Sequence, residues 1–219
     1  MQAFYNLLIG PGAWIAFAVF LGGCAWRLST MGALARRKDM VAVAYMESKH
    51  SLNSIMHWVT PFATLGWREN PAMTVATFAF HISIVLLALF APGHAIMWDY
   101  AFGVGVWALP EAVADILTIV ALAACGFFAW RRLSDPTVSF VTRPMDWLVL
   151  GLAAVPLLTG ILAKYVMTQN LVFATLHVLS GEAMLVALPF TRLSHAVFSV
   201  FTRAYIGSEF GAVRHCKDW

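Results

Sequence analysis

Charge is what this sequence has least of. Asp, Glu, Lys and Arg make up only 11% of its 219 residues, while 61% are hydrophobic. Soluble domains carry about 25% charge, so a soluble globular enzyme is excluded. The balance fits an integral membrane protein whose first partner is the lipid bilayer; no nucleic acid is expected as a partner. Cysteine is scarce too. Cys24, Cys125 and Cys216 are scattered and form no CxxC or CxxCH. That excludes a disulfide framework, an iron–sulfur site and covalently attached haem. Two small buried residues and one on the tail are expected instead. No internal repeat, low-complexity tract or linker interrupts the chain, so residues 1–219 read as one domain. The basic n-region and cleavage site of a signal peptide are missing, so the first apolar run is expected to remain as a span.

What is present is a series of apolar runs. Five are long enough to cross a hydrocarbon core. They lie at about 10–27, 71–91, 109–130, 147–165 and 170–200. Pro92-Gly93 stops the second. The stretch from Ser51 to Leu65 is semi-apolar and too short to cross, and reads as an amphipathic helix on the membrane surface. The fold class is therefore all-α integral membrane, with five transmembrane helices plus that amphipathic helix.

Orientation follows from basic residues. Thirteen of the fourteen lie after span one, between spans three and four, or at and beyond the end of span five; Lys164 alone falls on the other side. The N-terminus is expected outside, in the periplasm of a bacterium. The C-terminus and the amphipathic helix are then cytoplasmic.

The seven histidines sort by place. His50 and His215 lie in polar stretches and read as solvated; His57 reads as a residue of the amphipathic helix's polar face. His81, His94, His177 and His195 remain. His177 and His195 are eighteen residues apart in the fifth run. On one unbroken helix that is about five turns, one face and roughly 27 Å, close to the hydrocarbon thickness. Ser180 and Gly181 between them are small enough to let something bulky approach. A lone histidine in an apolar helix is usually a hydrogen-bonded core residue; two in register, a membrane apart, are costly and point to function. With spans two and five as neighbours, the levels pair His81 with His195 and His94 with His177. Each pair would hold one haem, with both axial positions filled for electron transfer. Zinc is the competing metal, but each level offers two histidines and no cysteine or carboxylate beside them. Thirteen residues separate His81 from His94, about 140° apart on an unbroken helix. The Pro92-Gly93 break must re-aim His94.

The order of elements resembles the membrane cytochrome b (gamma) subunit of respiratory nitrate reductase. The match runs through Phe80-His81-Ile82, Arg131-Arg132-Leu133, Asp146, Leu176-His177-Val178, Pro189-Phe190-Thr191-Arg192-Leu193 and His195. The eighteen-residue spacing is that family's own. In span two the family's ligands are ten residues apart rather than thirteen, and position 91 here is alanine. Those departures, the segment around His57, Leu109-Pro110-Glu111 and the ending from Thr202 to Gly211 are similar to one branch. It is the cytochrome b subunit of the transmembrane redox complexes of sulfate-reducing bacteria. The resemblance implies two haems b in the bacterial inner membrane and other membrane subunits beside this one. It also implies a cytoplasmic iron–sulfur partner resembling heterodisulfide reductase and a periplasmic multihaem cytochrome c.

Three further polar positions have two readings each. Arg192 is a positive-inside anchor or a partner of haem propionates. Glu182, near mid-membrane, is protonated and hydrogen-bonded or belongs to a proton path. Glu111 and Asp115, four apart, are helix-start acids favouring the dipole or the proton-exchanging part of a quinone site, menaquinone being one such quinone. The family's nearby lysine is absent from the loop before them. Function then divides into a quinone-reactive subunit of an oxidoreductase, a pure electron conduit with no quinone site, and a transporter with a histidine proton relay.

Overall fold

A computed structural model describes residues 1–166 and 171–219; among them the chain is helical and no strand occurs. Five helical stretches are long and apolar enough to cross a bilayer: Gln2–Lys38, Pro71–Phe90, Glu111–Ser134, Pro144–Tyr165 and Leu171–Phe190. The first is longer than its apolar run. Helix α1 (Gln2–Leu7) leads through a π-helical turn (Leu8–Gly12) into α2 (Ala13–Lys38). No proline interrupts α2, and Ser29 and Thr30 turn their hydroxyls back onto the Ala25 and Trp26 carbonyls, so polar residues extend the helix instead of ending it. The π turn contains Pro11, which has no N–H to give to the helix ladder. The second span is α6 (Pro71–Phe90), the third α8 (Glu111–Ser134) and the fourth α10 (Pro144–Tyr165).

The fifth run departs from a single helix. Residue 170, where it was expected to begin, lies outside the described residues. Helix α11 (Leu171–Ala187) gives way to a 3₁₀ turn at Leu188–Phe190, an extended Thr191 and a second 3₁₀ turn at Arg192–Ser194. Helix α12 (His195–Ser208) follows. Pro189 supplies no N–H, and the Thr191 hydroxyl accepts from Leu193 N–H at 3.2 Å, starting a new turn. The one-helix register that put His177 and His195 on a common face therefore does not hold.

The chain gathers into two compact units: Met1–Gly12 with Val75–Met184, and Ala13–Thr74 with Leu185–Trp219. In the first, Leu87, Leu109, Ala114, Ala121 and Leu157 form the core, with Phe80 and Leu117 packed against it. Helices α8 and α10 pack on one another, and both bury small residues, Ala114, Ala121 and Ala124 on α8 and Ala153 on α10. Cys125 is buried there, Cys24 is buried in α2 and Cys216 is exposed.

In the second unit, α3 (Met40–Ala44), α4 (Ser48–Val59) and α5 (Leu65–Glu69) follow the first span. Helix α4 is the amphipathic element, beginning earlier than Ser51 and ending where Thr60 turns extended before Pro61. It packs on α12 through its polar face. Ser51 and Ser54 are buried, and Ser51 donates to the Ala204 carbonyl at 2.9 Å. Leu52, Met56 and Val59 point outward. A Cβ at Gly207 would lie 2.8 Å from the His50 carbonyl, so only glycine permits this approach. His50 is accordingly not simply solvated. It packs against Gly211 and pairs with Glu47 at 3.3 Å. His57 stacks on Trp219, ring centroids 4.3 Å apart. His215 is exposed, as expected. Asp218 is tied to Arg203 at 2.9 Å and to Ser54 at 2.6 Å. The Tyr205 hydroxyl donates to Asp39; burial first, and that carboxylate second, push the phenol up to about 12.

Candidate functional site

The end of α6 builds one histidine position. A helix leaves its last four carbonyls without helical donors, and here each finds one. Leu87 O accepts from Ala91 N–H, Leu89 O from the Trp98 indole, and Phe90 O from Leu109 N–H. His94 completes the set: its Nδ1 donates to Leu87 O at 2.9 Å and lies 3.1 Å from Ala88 O. Ala91, preceding a proline, is extended, and Pro92 opens helix α7 (Pro92–Phe102) at its first position. This break re-aims His94 as the sequence required.

His177 comes from α11. Its Nδ1 donates to the Pro156 carbonyl of α10 at 2.9 Å. A carbonyl can only accept, so Nδ1 is the donor in both rings; in the neutral imidazole that leaves the lone pair on Nε2, the form that ligates a metal. The rings lie nearly parallel, at 12°, with centroids 5.8 Å apart. A metal bonded to two imidazole nitrogens at about 2.0 Å each sets the centroids roughly 6 Å apart. Among the described residues no three His, Cys, Asp or Glu side chains gather to make a fuller metal site.

Gly160 of α10 makes room for His177: a Cβ there would lie 3.1 Å from its Cε1 and 3.2 Å from its Nδ1. Valine at this position should displace the ring from Pro156.

The other expected positions fall as follows. His81 on α6 places Nδ1 2.7 Å from Thr77 O, and His195, opening α12, places Nδ1 2.7 Å from Arg192 O. Both repeat the arrangement of a ring fixed by a backbone carbonyl. His81 belongs to the first unit and His195, with Arg192, to the second. Ser180 donates to the His177 carbonyl at 3.0 Å and lies 3.3 Å from the Thr159 hydroxyl. Gly181 faces open space, with nothing within 4 Å of an added Cβ.

Glu111 is the first residue of α8, and Asp115 lies a turn later. The structure adds two residues that sequence reasoning missed. Lys164, at the end of α10, bonds both Asp115 oxygens at 2.9 Å and pairs with Glu111 at 3.3 Å. The Tyr165 hydroxyl donates to Asp115 as well. A lysine thus does stand beside these acids, supplied by the fourth span and not by the loop. The signal was Lys164's isolation from every other basic residue.

Five long apolar helices, without a strand among the described residues, define a multi-pass helical membrane protein. Over 214 residues, 96% of this chain and 95% of the other, it is 35% identical to a protein of Nitratidesulfovibrio vulgaris (strain Hildenborough), and it belongs to that protein's family. No family model matches the chain, and no solved structure matches it.

Proposed function

We propose that the chain is the di-haem cytochrome b subunit of a respiratory electron-transfer complex. It passes electrons across the bacterial inner membrane, between a quinone such as menaquinone or a periplasmic multihaem cytochrome c and a cytoplasmic iron–sulfur subunit. The observation that carries the reading is the parallel His94–His177 pair with both Nδ1 protons committed to carbonyls. His94 and His177 hold one haem b; for the second the reading keeps the sequence's own assignment of His81 and His195 as ligands and Arg192 for the propionates. Bound haem with two histidine ligands supplies one-electron transfer and leaves no position for a small molecule. Gly181 leaves space for a bulky group beside α11. At the other end of the chemistry, Lys164 and Tyr165 position the Asp115 carboxylate, where a quinol can deliver a proton. The sulfate-reducer resemblance supports the two protein partners.

The test is haem content. The full chain, purified in detergent, should hold two haems b and show a low-spin reduced spectrum. Absence of haem would overturn the cytochrome reading.

The distribution of basic residues also orients the chain in this reading, with Lys164 on the outer side and the other thirteen within. Protease added to sealed right-side-out spheroplasts should leave residues 28–70 and the C-terminal segment intact. Cleavage in either segment would reverse the orientation and move the iron–sulfur partner's docking face.

A further inference from the structure

Glu182 is the ionisable side chain that the ligand sets do not use. It lies on α11 five residues beyond His177, about 7.5 Å along the axis. Its Oε1 is buried and has no hydrogen-bond partner among the described residues. Facing it is the π-helical turn of the first span. A Cβ at Gly12 would lie 3.3 and 3.5 Å from the two carboxyl oxygens, so glycine keeps this place clear. The Leu7 carbonyl lies against the same spot, 3.1 Å from that Cβ position. π turns inside α-helices are frequent at functional sites. A half-buried carboxyl with one shielded oxygen and an irregular backbone turn, on different spans, thus converge on one point.

The ionisable groups around it are few. The segment Met1–Gly12 contributes Tyr5 and the chain's amino group. On its own helix His177 is the other titratable residue. From α10 comes Lys164, already paired with Asp115 and Glu111. Among the described residues no cation pairs with Glu182, and an isolated carboxylate in hydrocarbon is costly. The carboxyl is therefore sensitive to any charge that changes nearby, because such charges are weakly screened away from water.

We propose that Glu182 is an intramembrane proton-binding site whose occupancy follows the charge at the His94–His177 centre, reached through the π turn at Leu8–Gly12. The inference rests on the cytochrome reading. Glu182 holds its proton more firmly when the centre carries one more electron and releases it when that electron leaves. The proton passes directly between the carboxyl oxygen and a water molecule, and the Leu7 carbonyl can accept a hydrogen bond from that water. No other bond changes.

The experiment is a mediated equilibrium redox titration of the full chain at several pH values, for the wild type, Glu182→Gln and Gly12→Ala. In the wild type one haem's midpoint should fall with rising pH. For a one-electron couple the limit is about 59 mV per tenfold change in proton activity. Glu182→Gln preserves shape and hydrogen bonding, so a merely structural role leaves the slope in place, whereas a proton-binding role abolishes it with both haems retained. Gly12→Ala, which presses on the carboxyl, should move the pH range of the slope. A redox-difference infrared carboxyl band should vanish in Glu182→Gln. Two haems without a slope, or a slope that survives in Glu182→Gln, overturns the proton site alone. If Glu182→Gln loses haem, an unshifted Gly12→Ala titration overturns it. Haem absent from the wild type overturns the cytochrome reading together with this one.

Discussion

His177→Ala should leave the purified chain with one haem in place of two, and the remaining haem with an unchanged low-spin spectrum. The ring is positioned from three sides: by its own helix, by the Pro156 carbonyl that fixes its proton, and by the space at Gly160. His94 faces it at 5.8 Å, so His94→Ala should remove the same haem. His195→Ala should remove the other. An axial ligand cannot be replaced by the remaining ring, and Pro156 offers iron only an amide oxygen. Gly160 offers no side chain at all. Loss of an imidazole therefore empties the site or leaves a five-coordinate, high-spin haem. Two low-spin haems in any of these variants would refute the ligand assignment. The His177 and His195 variants losing the same haem would refute the two-level arrangement.

Disabling the carboxylates at the start of α8 should have the second large effect. Asp115→Asn combined with Glu111→Gln should slow oxidation of a soluble quinol analogue about 100-fold, the lower end for loss of a positioned acid or base, with haem content constant. A quinol gives up two protons as its electrons leave, and Asp115 is the best-placed acceptor. It receives the Lys164 ammonium on both oxygens and the Tyr165 hydroxyl on one. Lys164→Met should weaken quinol turnover too, by releasing Asp115 from its position. Unchanged quinol kinetics in the double variant would favour the pure conduit, in which the chain receives electrons from a cytochrome c alone.

These residues show what the sequence exposes and what it hides. Hydropathy locates the five spans because burial in lipid acts on composition, residue by residue. The break before His94 is equally visible, since Pro92 acts on its immediate neighbours. Pro189 gives the same kind of signal before Thr191, but a proline within an apolar run can also be carried inside a helix, as Pro156 is in α10. Only the backbone hydrogen bonds distinguish a helix that continues from one that stops. Contacts between spans are hidden for another reason. Lys164 and Asp115 are forty-nine positions apart and meet because α8 and α10 pack on one another, a property of the pair. His50 looked solvated because Gly207 and Gly211, which admit α4 so closely, lie far along the chain.

The carbonyl-bound ring of His94 bears on the biogenesis of the protein. Its imidazole closes the end of α6, so helix stability and ring orientation are set by the same hydrogen bonds. In the proposed function that makes the socket a product of polypeptide folding alone. A newly inserted chain would present both nitrogens, already aimed, before any prosthetic group arrives. Capture would then require little further ordering of side chains, and maturation could proceed late, after the spans have left the insertion machinery and come together.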